Sequence, residues 1–387
     1  EMSQPMRILL TAYDFRPNLG GVATVAYELA HALTENDCEV LVLAPRHEKA
    51  EDAGVSFRLE RRPFSSNSWI ANAQFISEIN RVTRKWKADA ILHTVWFPEA
   101  VHAVLDRETP HFQIVHGSEV MESARTLRKS VRRALTPLKR KVFQSMKGVF
   151  AVSHFTRDLV VRECGLEPSR IRVVENGVNT AEFFPDTASP EFRARMGAAG
   201  KRTIVTLNRL GPYKGNDTIL KALPSILREI PNAHLVMAGS GPDQARLQKL
   251  AESLGVAEHV KLPGALAFSE RRSLYALSDL VMLMTRTDYY SPDCEGFGLV
   301  LLEAAACGKA VVASRDGGIP DAVLHGETGL LVNPHDPQEV AVAAVDILSD
   351  DSFRRALETR ALAHAREMSW NRMARKILTE MRAHVRN

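Results

Sequence analysis

Short apolar runs alternate with longer stretches of helical periodicity along almost the whole chain, and nothing else in the sequence restricts the fold as much. "RILLTA" (7–12), "EVLVLA" (39–44), "DAILHT" (89–94), "FQIVHG" (112–117) and "GVFAVS" (148–153) each read as a buried strand. Helix patterns at 22–34, 68–86 and 123–146 lie between them. Strand, helix, strand in that order closes through right-handed crossovers, giving a parallel sheet covered on both faces. From 176 to 201, "NGVNTAEFFPDTASPEFRARMGAAGK", the pattern pauses in a stretch low in aliphatics and rich in Pro, Gly and Ala, the composition of a linker. It then restarts with "TIVTLN" (203–208), "HLVMAG" (234–239), "HVKLPG" (259–264), "LVMLMT" (280–285), "KAVVAS" (309–314) and "TGLLVN" (328–333). Helices near 215–229, 242–254, 298–307 and 336–348 fill the gaps.

The expected architecture is therefore α/β, with two doubly wound parallel-sheet (Rossmann-like) domains facing across a cleft. The first covers 1–185 and the second 186–366. An amphipathic segment within 367–387 is expected to pack back onto the first domain. The 387 residues suit two domains. A net charge of +4 does not call for nucleic acid and is compatible with anionic substrates or surfaces. The four cysteines show no C-x-x-C pair and no zinc spacing, and read as reduced thiols. No run of about 18 apolar residues occurs, so the expectation is a soluble cytoplasmic protein.

In doubly wound sheets, ligands bind at the carboxyl ends of strands, so the loops after strands carry the candidate chemistry. After 280–285 comes "DCEGFGLVLLEAAACG", in which Glu295 and Glu303 bracket seven uncharged residues. Gly296 and Gly298 allow a sharp turn, and Leu299 to Cys307 reads as a helix whose first amides lack intrahelical partners and favour an anion. Read alone, Glu303 is equally a helix-surface residue and Glu295 a loop charge. After 203–208, "NRLGPYKG" places Arg209 and Lys214 five apart, a clamp for a diphosphate or a solvated basic turn. After the first strand, Gly20 and Gly21 open a helix, as bare amides or as a plain tight turn. "VHGSE" puts His116 at a strand end, as a ligand-facing group or a structural hydrogen-bonder. "AGSGPDQ" contains Gly241 but lacks a third glycine, and Pro242 opens its helix, which does not indicate a dinucleotide cofactor.

Taken in order, G-G, H-G-x-E, R-x4-K, A-G-x-G-P and E-G-F-G-x4-E resemble the retaining glycosyltransferases of the GT-B fold. More narrowly, the chain is similar to the bacterial E-x7-E group that includes phosphatidylinositol mannosyltransferases, lipopolysaccharide glucosyltransferases and sucrose-forming enzymes. The resemblance spans nearly the whole chain and implies roles residue by residue. Glu303 would hold ribose hydroxyls and Glu295 hydroxyls of the transferred sugar. The amides of Phe297, Gly298 and Leu299, with Gly241, would hold the donor. Arg209 and Lys214 would grip the diphosphate, His116 would sit beside the reacting face of the sugar, and Gly20 and Gly21 would close on the phosphates. The main chain of "KLPGAL", ending at Leu266, would meet the nucleobase.

The resemblance implies a hexosyl transfer from UDP-hexose or GDP-mannose to a glycan or lipid-linked acceptor in envelope polysaccharide or glycolipid synthesis. No D-x-D occurs, so no metal and no cofactor is expected, and the leaving diphosphate would be neutralised by Arg209, Lys214 and the helix N-terminus near Gly298. Transfer on the front face, with the donor phosphate taking the acceptor proton, is the expected route to retention. Alternatives are a nucleotide-sugar epimerase of similar fold or a non-catalytic sugar-binding relative. "TRTDYYSPDCEGFG" is long and polar before Glu295, and Asp288, Tyr289, Tyr290 and Asp293 either shape acceptor entry or are solvated. Residues 125–147 hold nine Lys or Arg and no acid, with Leu127, Val131, Leu135, Leu138 and Val142 at helical spacing. That stripe would rest on an anionic membrane face or pack on the first domain.

Overall fold

The computed structural model describes residues 4–18, 20–48, 52, 54–121, 127–287 and 293–385, with the side chains of 127–134 outside the description. Asp288, Tyr289 and Tyr290 lie outside the described residues. The chain forms two compact units. One comprises residues through Asn176 together with the helix from Trp370; the other comprises Gly177–Asp288 and Asp293–Ser369.

The first unit holds seven strands: β1 (Met6–Thr11), β2 (Cys38–Pro45), β3 (Arg58–Arg62), β4 (Ala90–His93), β5 (His111–Val115), β6 (Gly148–Ala151) and β7 (Ile171–Val173). Their order is β3-β2-β1-β4-β5-β6-β7, and every pairing is parallel. The second unit holds β8 (Arg202–Leu207), β9 (Ala233–Ala238), β10 (Val260–Gly264), β11 (Leu280–Leu283), β12 (Val311–Ser314) and β13 (Leu330–Val332), ordered β10-β9-β8-β11-β12-β13 and again parallel. In both sheets the strand order reverses direction once, beside β1/β4 and beside β8/β11. At such a switch point the following loops splay to opposite faces and leave a crevice for a ligand.

Helix packing follows from side-chain spacing. In Asn216–Glu229, Ile219, Leu220, Leu223 and Ile226 are buried at helical intervals. They join Ile204, Leu235, Leu280, Met282 and Val312 from the sheet, and Val340, Ala344 and Ile347 from the helix Pro337–Ser349, in one core. Each fully buried aliphatic side chain contributes roughly 1.5–3 kcal/mol. The helix Trp370–Val385 buries Trp370, Met373, Ala374, Ile377, Leu378 and Met381, one continuous stripe. It lies on the helix Gly21–Glu35, where Asn36 donates to Asn371 at 2.7 Å, and Lys376 pairs with Glu175 at 2.6 Å.

The basic segment is helical over Leu127–Ser145. Toward its end Val142, Phe143 and Met146 are buried while Arg140, Lys141 and Lys147 are exposed; Lys139 is buried and donates to the Val120 carbonyl at 3.0 Å. Among the described residues no helix is long and apolar enough to cross a membrane. Several elements differ from the sequence expectation, among them β7 and the helix His154–Cys164, neither of which it contains. β3 reads "RLERR", a charged edge strand that a search for apolar runs passes over. The helix Asp351–Glu367 buries Leu357, Ala361 and Ala365, a stripe too small to register as amphipathic. The expected linker contains the short helix Pro190–Arg195, started by the Ser189 side chain accepting from the Phe192 amide.

Candidate active site

The residues with chemical potential in the second unit cluster at its switch point. The loops after β8 and β11 are bound to each other: the Arg286 amide donates to the Tyr213 carbonyl at 2.7 Å, and its guanidinium donates to the Pro212 carbonyl at 2.7 Å and to Asp217. Gly215 makes this approach feasible. It sits at φ +67°, and a Cβ there would stand 1.9 Å from the Met284 carbonyl oxygen. The outcome is a direct ion pair across the two loops, in which Lys214 Nζ donates to Glu295 Oε2 at 2.7 Å. Thr285 donates to the same oxygen at 3.4 Å, and Lys214 lies 4.9 Å from the centre of the Tyr213 ring. Burial alone would lower the Lys214 pKa, but the neighbouring Glu295 charge outweighs it and the ammonium is held more firmly than usual. The side chains of Lys214 and Glu295 are 13% and 18% exposed, shielded yet still reachable by a ligand.

The Glu295 carbonyl accepts from the Gly318 amide at 2.8 Å, which anchors the turn ahead of the helix Leu299–Ala306. Phe297 is buried, Gly298 is the N-cap at φ +93°, and no side chain caps the helix. Of its first amides, that of Leu301 donates to the Gly298 carbonyl at 2.9 Å, and those of half-buried Leu299 and Val300 stand at the positive end of the dipole.

Glu303 sits deeper on this helix, 5% exposed, with partners of its own. Tyr275 donates its hydroxyl to Oε2 at 2.7 Å and Arg271 Nη1 donates to Oε1 at 3.3 Å. Burial pushes the Glu303 pKa up, against the Arg271 charge and the Tyr275 hydrogen bond, which pull it down. The partners of the two glutamates are thus separate sets. Arg271 and Tyr275 escaped the sequence reading, although their i, i+4 spacing on the helix Arg271–Leu277 puts both on one face.

Arg209 is exposed at the start of the loop after β8, and its charge reaches the Tyr213 phenol. Gly241 has a backbone reason for its identity, since a Cβ there would stand 2.2 Å from the Leu210 carbonyl oxygen. Leu266 is half-buried just after β10. Asp293 is half-buried and has an interaction partner.

In the first unit, Gly20 is the exposed, extended N-cap of the helix that Gly21 begins. His116 follows β5; its amide donates to Glu119 Oε1 at 2.5 Å, while its Nε2 is buried with no hydrogen-bond partner. Burial, opposed by a hydrogen bond with the Thr94 main chain, takes the His116 pKa down to about 4, so the ring is neutral near pH 7. Burial takes Glu119 up to about 7 against its main-chain hydrogen bonds.

Residues 19–182 match the family described as Glycosyltransferase Family 4, and residues 189–364 match Glycosyl transferases group 1. A GDP-mannose-dependent alpha-(1-6)-phosphatidylinositol monomannoside mannosyltransferase of Mycobacterium tuberculosis is 33% identical over 355 residues, 89% of each chain. Among solved structures, a sucrose-phosphate synthase from Thermosynechococcus elongatus matches with a TM-score of 0.81 at 20% identity, over 98% of both chains. The HepE protein of Anabaena, in complex with UDP and glucose, matches with a TM-score of 0.76 at 22% identity, over 98% of this chain and 100% of that one. At such identities these two likenesses speak for the fold. With both halves matched in order and a relative this similar over nearly its full length, the chain belongs to the GT-B glycosyltransferases, in the group that includes the phosphatidylinositol monomannoside mannosyltransferases.

Proposed function

We propose that the protein moves a hexosyl group from a nucleotide-sugar to a hydroxyl of a lipid-linked or glycan acceptor, with retention at the anomeric carbon and without a metal ion. The Lys214–Glu295 pair at the switch point carries this reading. A leaving diphosphate needs positive charge fixed in advance, and a raised-pKa ammonium beside uncapped helix amides supplies it. In this reading Arg209, exposed and free to swing, completes the clamp. Glu295 holds Lys214 in place and accepts hydroxyls of the sugar, and Glu303, oriented by Arg271 and Tyr275, accepts hydroxyls on the nucleoside side. The donor is kept by the amides of Phe297, Gly298 and Leu299, with Gly241 and Leu266 bordering the nucleotide.

GDP-mannose is the favoured donor, since the relative at 33% identity is named for its dependence on it, and a glycosylated phosphoinositide is the favoured acceptor class on the same ground. Front-face transfer fits a Glu295 already engaged by Lys214, with the donor's own phosphate oxygen receiving the acceptor proton. His116, neutral near pH 7, positions the sugar and is not needed as a base. The acceptor would be met at the inner face of a membrane, where exposed Arg140, Lys141 and Lys147 favour anionic lipid.

The test is a transfer assay with GDP-mannose and UDP-glucose on a mannosylated phosphoinositide, in the presence of EDTA, with the product's anomeric configuration read by NMR. An α-linked product formed in chelator is expected. A β-linked product refutes retention, and activity restored only by added metal refutes the metal-free clamp.

A further inference from the structure

The first unit brings together three side chains that the transfer reaction does not use. His102 opens the short helix His102–Leu105, Asp106 follows it as C-cap, and His111 begins β5. One ligating atom from each lies within 4.8 Å of the others. His102 and His111 are 1% and 2% exposed, yet His102 Nδ1 and His111 Nε2 have no hydrogen-bond partner. A bare imidazole nitrogen at that depth carries a desolvation cost with nothing to offset it.

A chain of hydrogen bonds leads from the cluster into the sheet. Glu99 accepts from the amides of Tyr13, Thr94 and Val95 and from the hydroxyls of Thr94 and Thr11. Thr11 Oγ1 also lies 2.9 Å from His93 Nδ1. His93 Nε2 is hydrogen-bonded to His111 Nδ1 at 2.9 Å, and the two rings stack. On the far side of the ring, His111 Nε2 lies 3.5 Å from Asp106 Oδ2. The other Asp106 oxygen is occupied by the amides of Glu108 and Thr109.

We infer that His102, Asp106 and His111 form a binding site for a divalent transition metal of the zinc type. Two imidazoles and a carboxylate are a zinc donor set, and three protein ligands leave a fourth position for an exchangeable group. Hard cations such as magnesium prefer oxygen throughout. Burial, aided by His111, takes His102 down to about 4, so it is in its neutral, ligating form near pH 7. Ligand atoms around a tetrahedral zinc stand about 3.3 Å apart at the usual bond lengths, so binding draws the three side chains slightly together. The chain His93–Thr11–Glu99 holds the His111 ring in its orientation, as a hydrogen-bonded carboxylate does for metal-ligating histidines. A cavity of about 770 Å³, lined by His102, Asp106, Thr83, Arg84, Lys87 and Arg107 among others, gives access, and its three cations suit an anion at the fourth position.

The experiment titrates the chelator-stripped full chain with Co²⁺, whose visible d–d bands report nitrogen-containing low-coordinate sites. One equivalent should develop the bands and Zn²⁺ should bleach them. His102→Ala and Asp106→Asn should each bind roughly a hundredfold more weakly, and Thr11→Val, which keeps all three ligands, about tenfold more weakly. Zinc should raise the melting temperature of the wild type and not of His102→Ala. Wild-type spectra like those of aqueous cobalt, or bands equally strong in His102→Ala, overturn the site and leave His111 and Asp106 as a protonated ion pair.

Discussion

The two sheets share one topology, and each carries a glutamate near its switch point, yet the two carboxylates have opposite surroundings. In the first unit Glu99 is fully buried and receives five hydrogen bonds from main-chain amides and hydroxyls. In the second unit Glu295 is half-buried and its nearest partner is an ammonium, Lys214, on the adjoining loop. The same six-strand order, extended by β7 in the first sheet, thus yields a structural knot in one place and a reactive pair in the other. Strand order decides where polar groups converge. Solvent access and the charge of the partner decide whether they can serve a ligand.

The comparison breaks most readily at Glu99. Glu99→Ala strands several buried donors at about 1–3 kcal/mol each, so the unfolding free energy should fall by roughly 3 kcal/mol or more. Glu295→Ala should lower it by less, because the stranded Lys214 ammonium is one charge that still reaches water, against several buried donors at Glu99. Chemical denaturation of both variants gives the answer, and equal losses would abolish the distinction. On the functional side, Lys214→Ala should slow turnover by about a hundredfold or more, near 2.7 kcal/mol of transition-state stabilisation, with the fold intact. Near-normal kcat would remove Lys214 from the chemistry.

A smaller effect is expected at Glu303. Glu303→Ala should weaken binding of free nucleoside diphosphate about tenfold, the value of one or two charge-assisted hydrogen bonds. Unchanged affinity by calorimetry would confine Glu303 to packing with Tyr275 and Arg271. The subtlest test is pH. Burial takes Glu99 up to about 7, opposed by its hydrogen bonds. The native state therefore binds this proton more tightly than the unfolded chain does. The associated stability is complete below the unfolded carboxylate value, about 4.5, and is lost as pH rises toward 7. Subtracting the profile of Glu99→Gln isolates this from His102 and His116, whose lowered values favour stability at higher pH. The wild-type advantage over Glu99→Gln should shrink between pH 5 and 7, by at most about 1.4 kcal/mol per pH unit. A flat difference would mean that Glu99 stays ionised throughout.

What the sequence disclosed follows the same division. Strands β8 to β13 and the loops bearing Arg209, Lys214 and Glu295 were legible because apolar runs and the glycines flanking Glu295 are local signals. The Glu99 network was not. Thr11 and Glu99 are 88 positions apart, and only the pairing of β1 with β4 makes them neighbours. The pairing of Glu303 with Tyr275 spans 28 positions and two helices, and no spacing rule reaches across it. The direct contact between Lys214 and Glu295 was equally hidden. The residues could be assigned to one ligand, but the loop-to-loop bonds of Arg286 that bring them together leave no trace in either motif.

The interrupted course of the chain bears on its synthesis. The helix Trp370–Val385 belongs to the first unit, but the entire second unit precedes it in sequence. As the polypeptide leaves the ribosome, the apolar flank of Gly21–Glu35 that this helix covers stays wet until some two hundred further residues have emerged, about ten to forty seconds at ordinary translation speed. The half that starts first therefore matures last, and in the interval its bare flank is where holdase chaperones would be expected to bind.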